Sequence, residues 1–593
     1  RWARPHTGLQ TEQLEDRRLL ALVVVGNDLD TVNGDTSSIP GLVANDGGDG
    51  ISLREAILAA NSTAGADTVG FNPSLSGGTI QLGGTQLTIT ESLAINAGPL
   101  AQNVTIDAQQ NSRAINFSAA TGDLMLTGLN VQHGNTGNSG GGVRFLSDGV
   151  LTISDSDISG NTAGGIGGGV HVDEGDLTLV LSTVNGNRTT GGMARGGGIA
   201  AGSGIVLVDS STISNNLIAG EFADGGGIST LSASVTISRS TVSGNMATGT
   251  SGDGGGVRIG GGDLTIIGST FSENSAATVG GGVQNSAGDL TISGSTFMGN
   301  SAANGGGIHT GNGGTTSISG SLIAGNSATT SGNEIRLVVG TVTLDDHNLF
   351  GDNSQTTLAA LSGVTAGATD IVATSDSGDA TALASILDPT LADNGGPTFT
   401  HALVGGSPAI NRGDPGFDDS QTPTDQRGAP RMFFSQVDIG AYEFISTVVP
   451  GGLFVGTTAD VFDGDYSIGN LSLREAVEIA NVVAGGNTIT FLPPLSADTI
   501  LLDGTELEIT ETLTIDASAL AENVAIDAQQ SSRVLNFSGS TGDFTLIGIN
   551  VQNGISPSRG GGILFESDGA LTLDGSRVTD NEAPSVWDGG GIY

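Results

Sequence analysis

Apolar and polar residues alternate through most of this chain, in runs of only three to five positions. Leu264 and Ile266 mark one such run, and Thr270-Phe271-Ser272 makes the next. Alternation with period two marks a strand with one buried face, and Thr, Val and Ile suit a pleated surface. No run carries the periodicity of a long amphipathic helix. The runs share one punctuation mark, three glycines followed by Ile or Val. It occurs nine times, beginning at Gly140, Gly167, Gly196, Gly225, Gly254, Gly280, Gly305, Gly560 and Gly589. From Gly140 to Gly305 the steps are 27, 29, 29, 29, 26 and 25 residues. Repeats of this length are stacked supersecondary units, because one unit cannot bury its apolar face alone. Three short strands in coils of about 27 residues predict an all-β parallel β-helix, a solenoid with coils about 4.8 Å apart.

A second mark follows the last strand of each coil by three positions: Asn161, Asn187, Asn216, Asn245, Asn274, Asn300 and Asn326. Asparagine tolerates left-handed backbone, and its amide can bond an equivalent amide in the next coil. Glycine at Gly254, Gly280 and Gly305 supplies positive φ and close backbone approach at a tight corner. Both marks are therefore read as structural. A phosphate-cradling loop is excluded, since the P-loop lysine is absent and no helix follows.

A longer repeat contains the short one. Ser-Leu-Arg-Glu-Ala at 52–56 returns at 472–476, and Ile-Asp-Ala-Gln-Gln at 106–110 returns at 526–530, each offset by 420 residues. The predicted organisation is one complete solenoid unit over 21–392, a C-terminal cap over 393–446, a linker at 447–452 and the start of a second unit over 453–593. The chain ends inside a coil and begins without methionine, so it reads as a piece of a longer protein. Ser52 with Glu55 forms a capping box, which predicts a short helix over 52–61 that blunts the open end of the first unit. Arg54 and Glu55 are read as cap residues rather than catalytic ones.

Composition narrows the function. Only 13% of residues are charged, and 61 acidic residues stand against 19 basic ones, for a net charge of −42. Every basic residue is arginine. Such a surface repels nucleic acid and anionic lipid. Zero cysteines exclude disulfides and thiolate metal sites. No apolar run is long enough for a transmembrane helix.

Several segments resemble known families. Gly-Gly-Gly-Ile together with Phe-x-x-Asn (Phe271 to Asn274, Phe297 to Asn300) resembles the repeats of polymorphic outer membrane proteins. Ile51-Ser-Leu-Arg-Glu-Ala and Leu471-Ser-Leu-Arg-Glu-Ala are similar to the C-S-L-R-E-A domain of bacterial surface proteins, with Ile51 and Leu471 in place of its cysteine. Residues 393–444, through Asp393-Asn-Gly-Gly-Pro397, Ser407-Pro-Ala-Ile-Asn411, Asp425-Gln-Arg-Gly428 and Asp438-Ile-Gly-Ala-Tyr-Glu443, resemble the choice-of-anchor Q domain. Leu14-Glu-Asp-Arg-Arg-Leu-Leu20 resembles a segment near the start of large secreted planctomycete-type proteins, which marks 1–20 as secretion-related. The resemblance implies a right-handed β-helix and an extracellular or cell-surface address in a bacterial outer envelope. It carries over no catalytic residue.

The first functional reading is a non-catalytic display module, structural or adhesive, that binds cell-envelope or extracellular polysaccharide or a surface protein of a host or neighbour. The alternative is an extracellular polysaccharide lyase or glycoside hydrolase, since β-helix enzymes of that kind exist. The two differ in one feature: an enzyme presents a groove lined by three or more carboxylate or arginine side chains from adjacent coils. The best local candidate for catalysis is Asp345-Asp346-His347, with Asp352 near, although a solvated turn is the favoured reading. Structural Ca²⁺ has candidates in three acidic turns: Asp28, Asp30 and Asp35; Asp414, Asp418 and Asp419; Asp460, Asp463 and Asp465. None has EF-hand spacing, and solvated turns are again favoured. No other cofactor is indicated. The position after each Gly-Gly-Gly-Ile/Val varies (Arg144, His171, Ala200, Ser229, Arg258, Gln284, His309 and Leu564), so it is read as outward-facing and unconstrained, and its histidines as lone surface residues.

Overall fold

The computed structural model describes residues 21–344, 346–417, 423–431, 436–444, 453–461, 469–482, 486–539, 541–583 and 589–593. Among the described residues the fold is an all-β parallel solenoid, with about 18 turns in all and 7% helix. The predicted fold class is what the chain adopts.

One coil shows how the sequence builds the rest. Gly196 turns the chain with φ +60, and Ile199–Ala201 forms the first strand. Ile205–Asp209, Thr212–Ser214 and Leu217–Ile218 follow, and Phe222–Asp224 closes the coil. The expected three strands hold in the early coils, such as 93–117, and in the second unit; from Asn135 to Ser331 a fourth is added, with a fifth in the coils that end at Arg195, Asp224 and Asp253. Each strand pairs in parallel with its equivalent one coil on, as in Ile199↔Ile228, Val206↔Val235 and Ile213↔Val242. These inward residues are fully or almost fully buried, and they stack on like residues throughout. Phe271 lies on Phe297 with ring centroids 4.6 Å apart and planes 10° apart. Each such aliphatic or aromatic side chain stabilises the fold by about 1.5–3 kcal/mol.

The three glycines serve three purposes. The first holds positive φ, as at Gly225 (φ +74). A Cβ on the second would strike the backbone of the next coil: at Gly226 the carbonyl oxygen of Gly255 and, 2.6 Å away, the amide nitrogen of Met246. A Cβ on the third, Gly227, would stand 3.1 Å from the amide carbon of Asn245. A side chain at any of the three would push the coils apart.

By packing, the chain divides into two units: Arg1–Ala402 with Ile439–Tyr442, and Leu403–Asp438 with Glu443–Tyr593. In the first, the helix Leu53–Asn61 begins in a capping box, with Ser52 and Glu55 bonded reciprocally. Glu55 is buried, yet its carboxylate accepts the backbone N–H groups of Ser52, Asn33 and Gly34. Burial alone would raise its pKa, but these bonds hold it below the ordinary value. A helix at Ile39–Ala44, capped by Ser38, was not expected from the sequence. In the second unit, Leu473–Val482 is helical and three parallel sheets follow. No helix among the described residues is long and apolar enough to cross a membrane.

Candidate functional site

Two hydrogen-bonded ladders fix the corners of the coils. In the first, each asparagine amide donates to the next: Asn161 to Asn187 (3.0 Å), Asn187 to Asn216 (3.0 Å), Asn216 to Asn245 (2.9 Å), and so on through Asn274 and Asn300 to Asn326. The same acceptor oxygen also takes the backbone N–H of the preceding asparagine. The series ends on Glu334, whose Oε2 accepts Asn326 Nδ2 at 2.5 Å. Glu334 occupies a third-glycine position, since Ile308 bonds its carbonyl as Val283 bonds that of Gly307. Burial pushes its carboxyl up to about 8, against the hydrogen bonds from Asn326 and Gln355 that favour the charge. The second ladder is of serines. Backbone N–H of Ser156 donates to Ser182 Oγ, and the pattern continues through Ser211, Ser240, Ser269 and Ser295 to Ser321. A serine precedes each third strand, and that recurrence is the ladder's signal in the sequence.

The glycine turn also creates a notch. The chain arrives along the fifth strand, bends at the glycines and leaves along the first strand of the next coil. The bend is sharp enough that a Cβ on Gly254 would lie 2.6 Å from the Cβ of Arg258. Residues just before the run thus face residues just after its Ile or Val. Arg195, Asp224 and Asp253 form the first column, held in register by parallel pairing of Met193–Arg195, Phe222–Asp224 and Ser251–Asp253. Their other face packs a small core of Ala194, Ile218, Ala223, Ala247, Ala276 and Ala302, which fixes these strands against the solenoid. Arg144, His171, Ala200, Ser229, Arg258, Gln284 and His309 form the second column, also in strict register.

Charges meet across the notch. Asp224 Oδ2 lies 3.5 Å from Arg258 Nη1 and 3.9 Å from Arg195 Nε. Asp253 accepts the hydroxyl of Thr278. Burial raises the Asp253 carboxyl above its ordinary value, the Thr278 bond opposes this, and the neighbouring Asp224 charge adds to the rise. Further along, Arg336 donates to Ser331 Oγ at 2.6 Å and to Asn304. Arg195, Asp224, Asp253 and Arg258 thus bring carboxylate and arginine side chains together from adjacent coils. The sequence did signal it: the fifth strands belong to the three 29-residue steps, and their last residues are charged.

The second column differs from its sequence reading in one respect. His171 and His309 point away from the core, between inward Val170 and Val172 and beside inward Ile308, yet they are only 5% and 8% exposed. They are not surface histidines. Burial lowers both imidazoles to about 4, so both are neutral at pH 7. Arg144 Nε, His171 Nδ1, Ser229 Oγ, Arg258 Nε and His309 Nδ1 are buried atoms that find no hydrogen-bond partner among the described residues. Folded proteins seldom leave such atoms unpaired. Five of these atoms belong to this one column.

The acidic candidates are placed as follows. Asp345 lies outside the described residues. Asp346 Oδ1 stands 3.6 Å from His347 Nδ1, whereas Asp352 is buried and accepts from Gln355, in the network around Glu334. Asp30 holds Arg54 through two oxygens at 2.7 and 2.8 Å, and Asp460 holds Arg474 in the same way at 2.9 and 2.7 Å. Asp35 and Asp414 cap their own turns. Asp418, Asp419, Asp463 and Asp465 lie outside the described residues. Among the described residues no group of three or more His, Asp or Glu is arranged to hold a metal ion.

No family model matches the chain, so the segments noted above remain likenesses of motif. No curated protein matches it either. Among solved structures the chain is similar to pectate lyase Pel9A, at 14% identity and a TM-score of 0.42, over 72% of this chain and 97% of that one. It is also similar to the PL6-family alginate lyase AlyGC, at 12% identity and a TM-score of 0.27, over 89% of this chain and 76% of that one.

Proposed function

We propose that this chain engages an extended polysaccharide along the notch, as a secreted or cell-surface protein. The column of unpartnered buried polar atoms from Arg144 to His309 carries the proposal. It advances one coil at a time over six steps, roughly 29 Å at the inter-strand spacing. Five of its seven rungs carry such an atom, since Ala200 has no polar side-chain atom and Gln284 bonds Ser286, and a polymer with hydroxyl or carboxylate groups at intervals offers partners to those five. Arginine suits such a ligand, because its planar donors match carboxylates and its charge survives partial burial. Phe222, 52% exposed, lies on the Asp224 face of its strand and adds an apolar surface at the rim.

A catalytic reading, as a polysaccharide lyase or glycoside hydrolase, is favoured by Asp224 and Asp253. These carboxyls stand on adjacent coils beside Arg258, and one of them holds its proton more tightly than an ordinary aspartate. Glycoside hydrolysis needs such a pair, one carboxyl as acid and the other as base or nucleophile. Nothing in the geometry supports adhesion to a protein partner.

Affinity electrophoresis of the whole chain through gels holding acidic or neutral polysaccharides tests the binding. Retardation by at least one polymer is expected, with about a tenfold loss of affinity in Arg258→Gln or Ser229→Val. Migration unchanged in every gel would sink the proposal. New reducing ends or unsaturated products, abolished in Asp253→Asn, would decide for catalysis.

A further inference from the structure

A different face of the first unit carries a second site. The outward positions of the third strands form two columns of small polar residues. Thr183, Thr212, Thr241, Thr270 and Thr296 stack in one, and Asn185, Ser214, Ser243 and Ser272 in the other. Rungs are about 4.8 Å apart, and the columns are about 6.7 Å apart along each strand. The inward residues between them, Val184, Ile213, Val242 and Phe271, are fully buried, so the grid is rigid.

The segment from Asp388 to His401 lies across part of this grid. Thr398 Oγ1 donates to the Arg239 carbonyl at 3.1 Å, and Thr241 Oγ1 donates to the Phe399 carbonyl at 2.6 Å. His401, 1% exposed, pins the far end. Its Nδ1 sits 3.0 Å from the Asp388 carbonyl, which can only accept, so that nitrogen carries the proton. Its Nε2 then accepts from Ser272 Oγ at 2.9 Å. The covered and uncovered parts of the grid meet at a cleft of about 770 Å³, within the usual size of a ligand pocket, about 300–1,000 Å³.

The two walls of this cleft differ in chemistry. On the grid side are Thr183, Thr212, Ser214, Ser243 and Asn215; on the segment side are Pro389, Leu391, Pro397 and Phe399. The hydroxyls of Thr183, Thr212 and Ser243 have no partner among the described residues. Glu273 is the single ionisable group in the lining. A ligand that fits must be polar along one side and apolar along the other, and it is not an anion, because a chain of net charge −42 repels anions and no cationic group lines the cleft. A pyranose ring meets these terms: its hydroxyls lie around the rim, and its C–H groups present an apolar face to proline and aromatic surfaces. We infer that this cleft binds an uncharged saccharide, at a site separate from the notch.

Calorimetric titration of the whole chain with neutral gluco-, manno- and xylo-oligosaccharides tests the inference. One of them should saturate a single site. The pair Thr212→Val with Ser243→Ala, which removes two hydroxyls with little change of shape, should weaken it about tenfold or more. Arg258→Gln in the notch should leave it within about twofold. Circular dichroism identical to that of the parent confirms that each variant is folded. The inference falls if no neutral saccharide binds, or if the Thr212/Ser243 pair leaves affinity unchanged. It falls equally if Arg258→Gln alone abolishes binding, since the sugar then sits in the notch.

Discussion

Asn245 makes four hydrogen bonds with one side-chain amide: two accepted from Asn216 and two donated, to the Ile213 carbonyl and to Asn274. The three asparagines are fully buried, where an unpaired polar group costs about 1–3 kcal/mol. Asn245→Ala should therefore lower stability by about 3 kcal/mol or more, read as a fall in thermal midpoint and faster amide exchange in the flanking coils. Glu334 makes the opposite kind of demand. Its carboxyl is held up to about 8, against an ordinary value of 4.5. Between those two pH values the unfolded chain has released the proton and the folded chain has kept it, so stability must fall as pH rises through the window. Glu334→Gln cannot ionise, and its thermal midpoint should vary less between pH 5 and pH 8 than that of the parent. An equal slope in both proteins would show that Glu334 does not set it. The asparagine positions were legible because each stacks on its own kind at a fixed offset. Glu334 was not, since it stands where the repeat has decayed, in a place otherwise reserved for glycine.

At the scale of the element, coil length proved more informative than coil composition. Three consecutive 29-residue steps provide the additional strands that make one wall of the notch. The residue that follows each Gly-Gly-Gly-Ile/Val is only one half of the site, and alone it carries no signal. The residues before the glycines, Arg195, Asp224 and Asp253, acquire meaning once the bend brings the two sides together. The burial of His171 and His309 was hidden for the same reason: alternation tells which way a side chain points, not what lies over it. The bend itself can be tested with a contrasting pair of glycines. A methyl group on Gly226 would strike the backbone of the next coil, whereas on Gly261 its nearest neighbour is 3.4 Å away. Gly226→Ala should cost about 2–3 kcal/mol in urea unfolding. Gly261→Ala should be neutral or stabilising by up to about 1 kcal/mol. Similar losses at both positions would mean that backbone approach is not what glycine provides there.

For the molecule as a whole, the sequence pattern was sufficient for the fold, because a solenoid is a sum of local units and nearest-neighbour interfaces. It was insufficient for the segment around His401, which meets Ser272 across 129 positions with no periodic signal to announce it. The net charge of −42 acts at this scale too. Sixty-one carboxylates against nineteen arginines repel one another in the folded state, and dissolved ions screen that repulsion. The thermal midpoint should rise as sodium chloride is raised from about 0.01 M to about 0.15 M, over which the screening length shortens from roughly 30 Å to roughly 8 Å. A midpoint that falls would mean that the arginine pairs outweigh the repulsion. The strict register of neighbouring coils has an evolutionary corollary. Loss of residues 197–225, one complete 29-residue period, would join Gly196 to Gly226 and bring Asn187 onto Asn245, each an interchangeable partner. Unequal recombination within such a gene can therefore lengthen or shorten the product in whole steps, and the number of rungs is open to inheritance without any redesign of the joints.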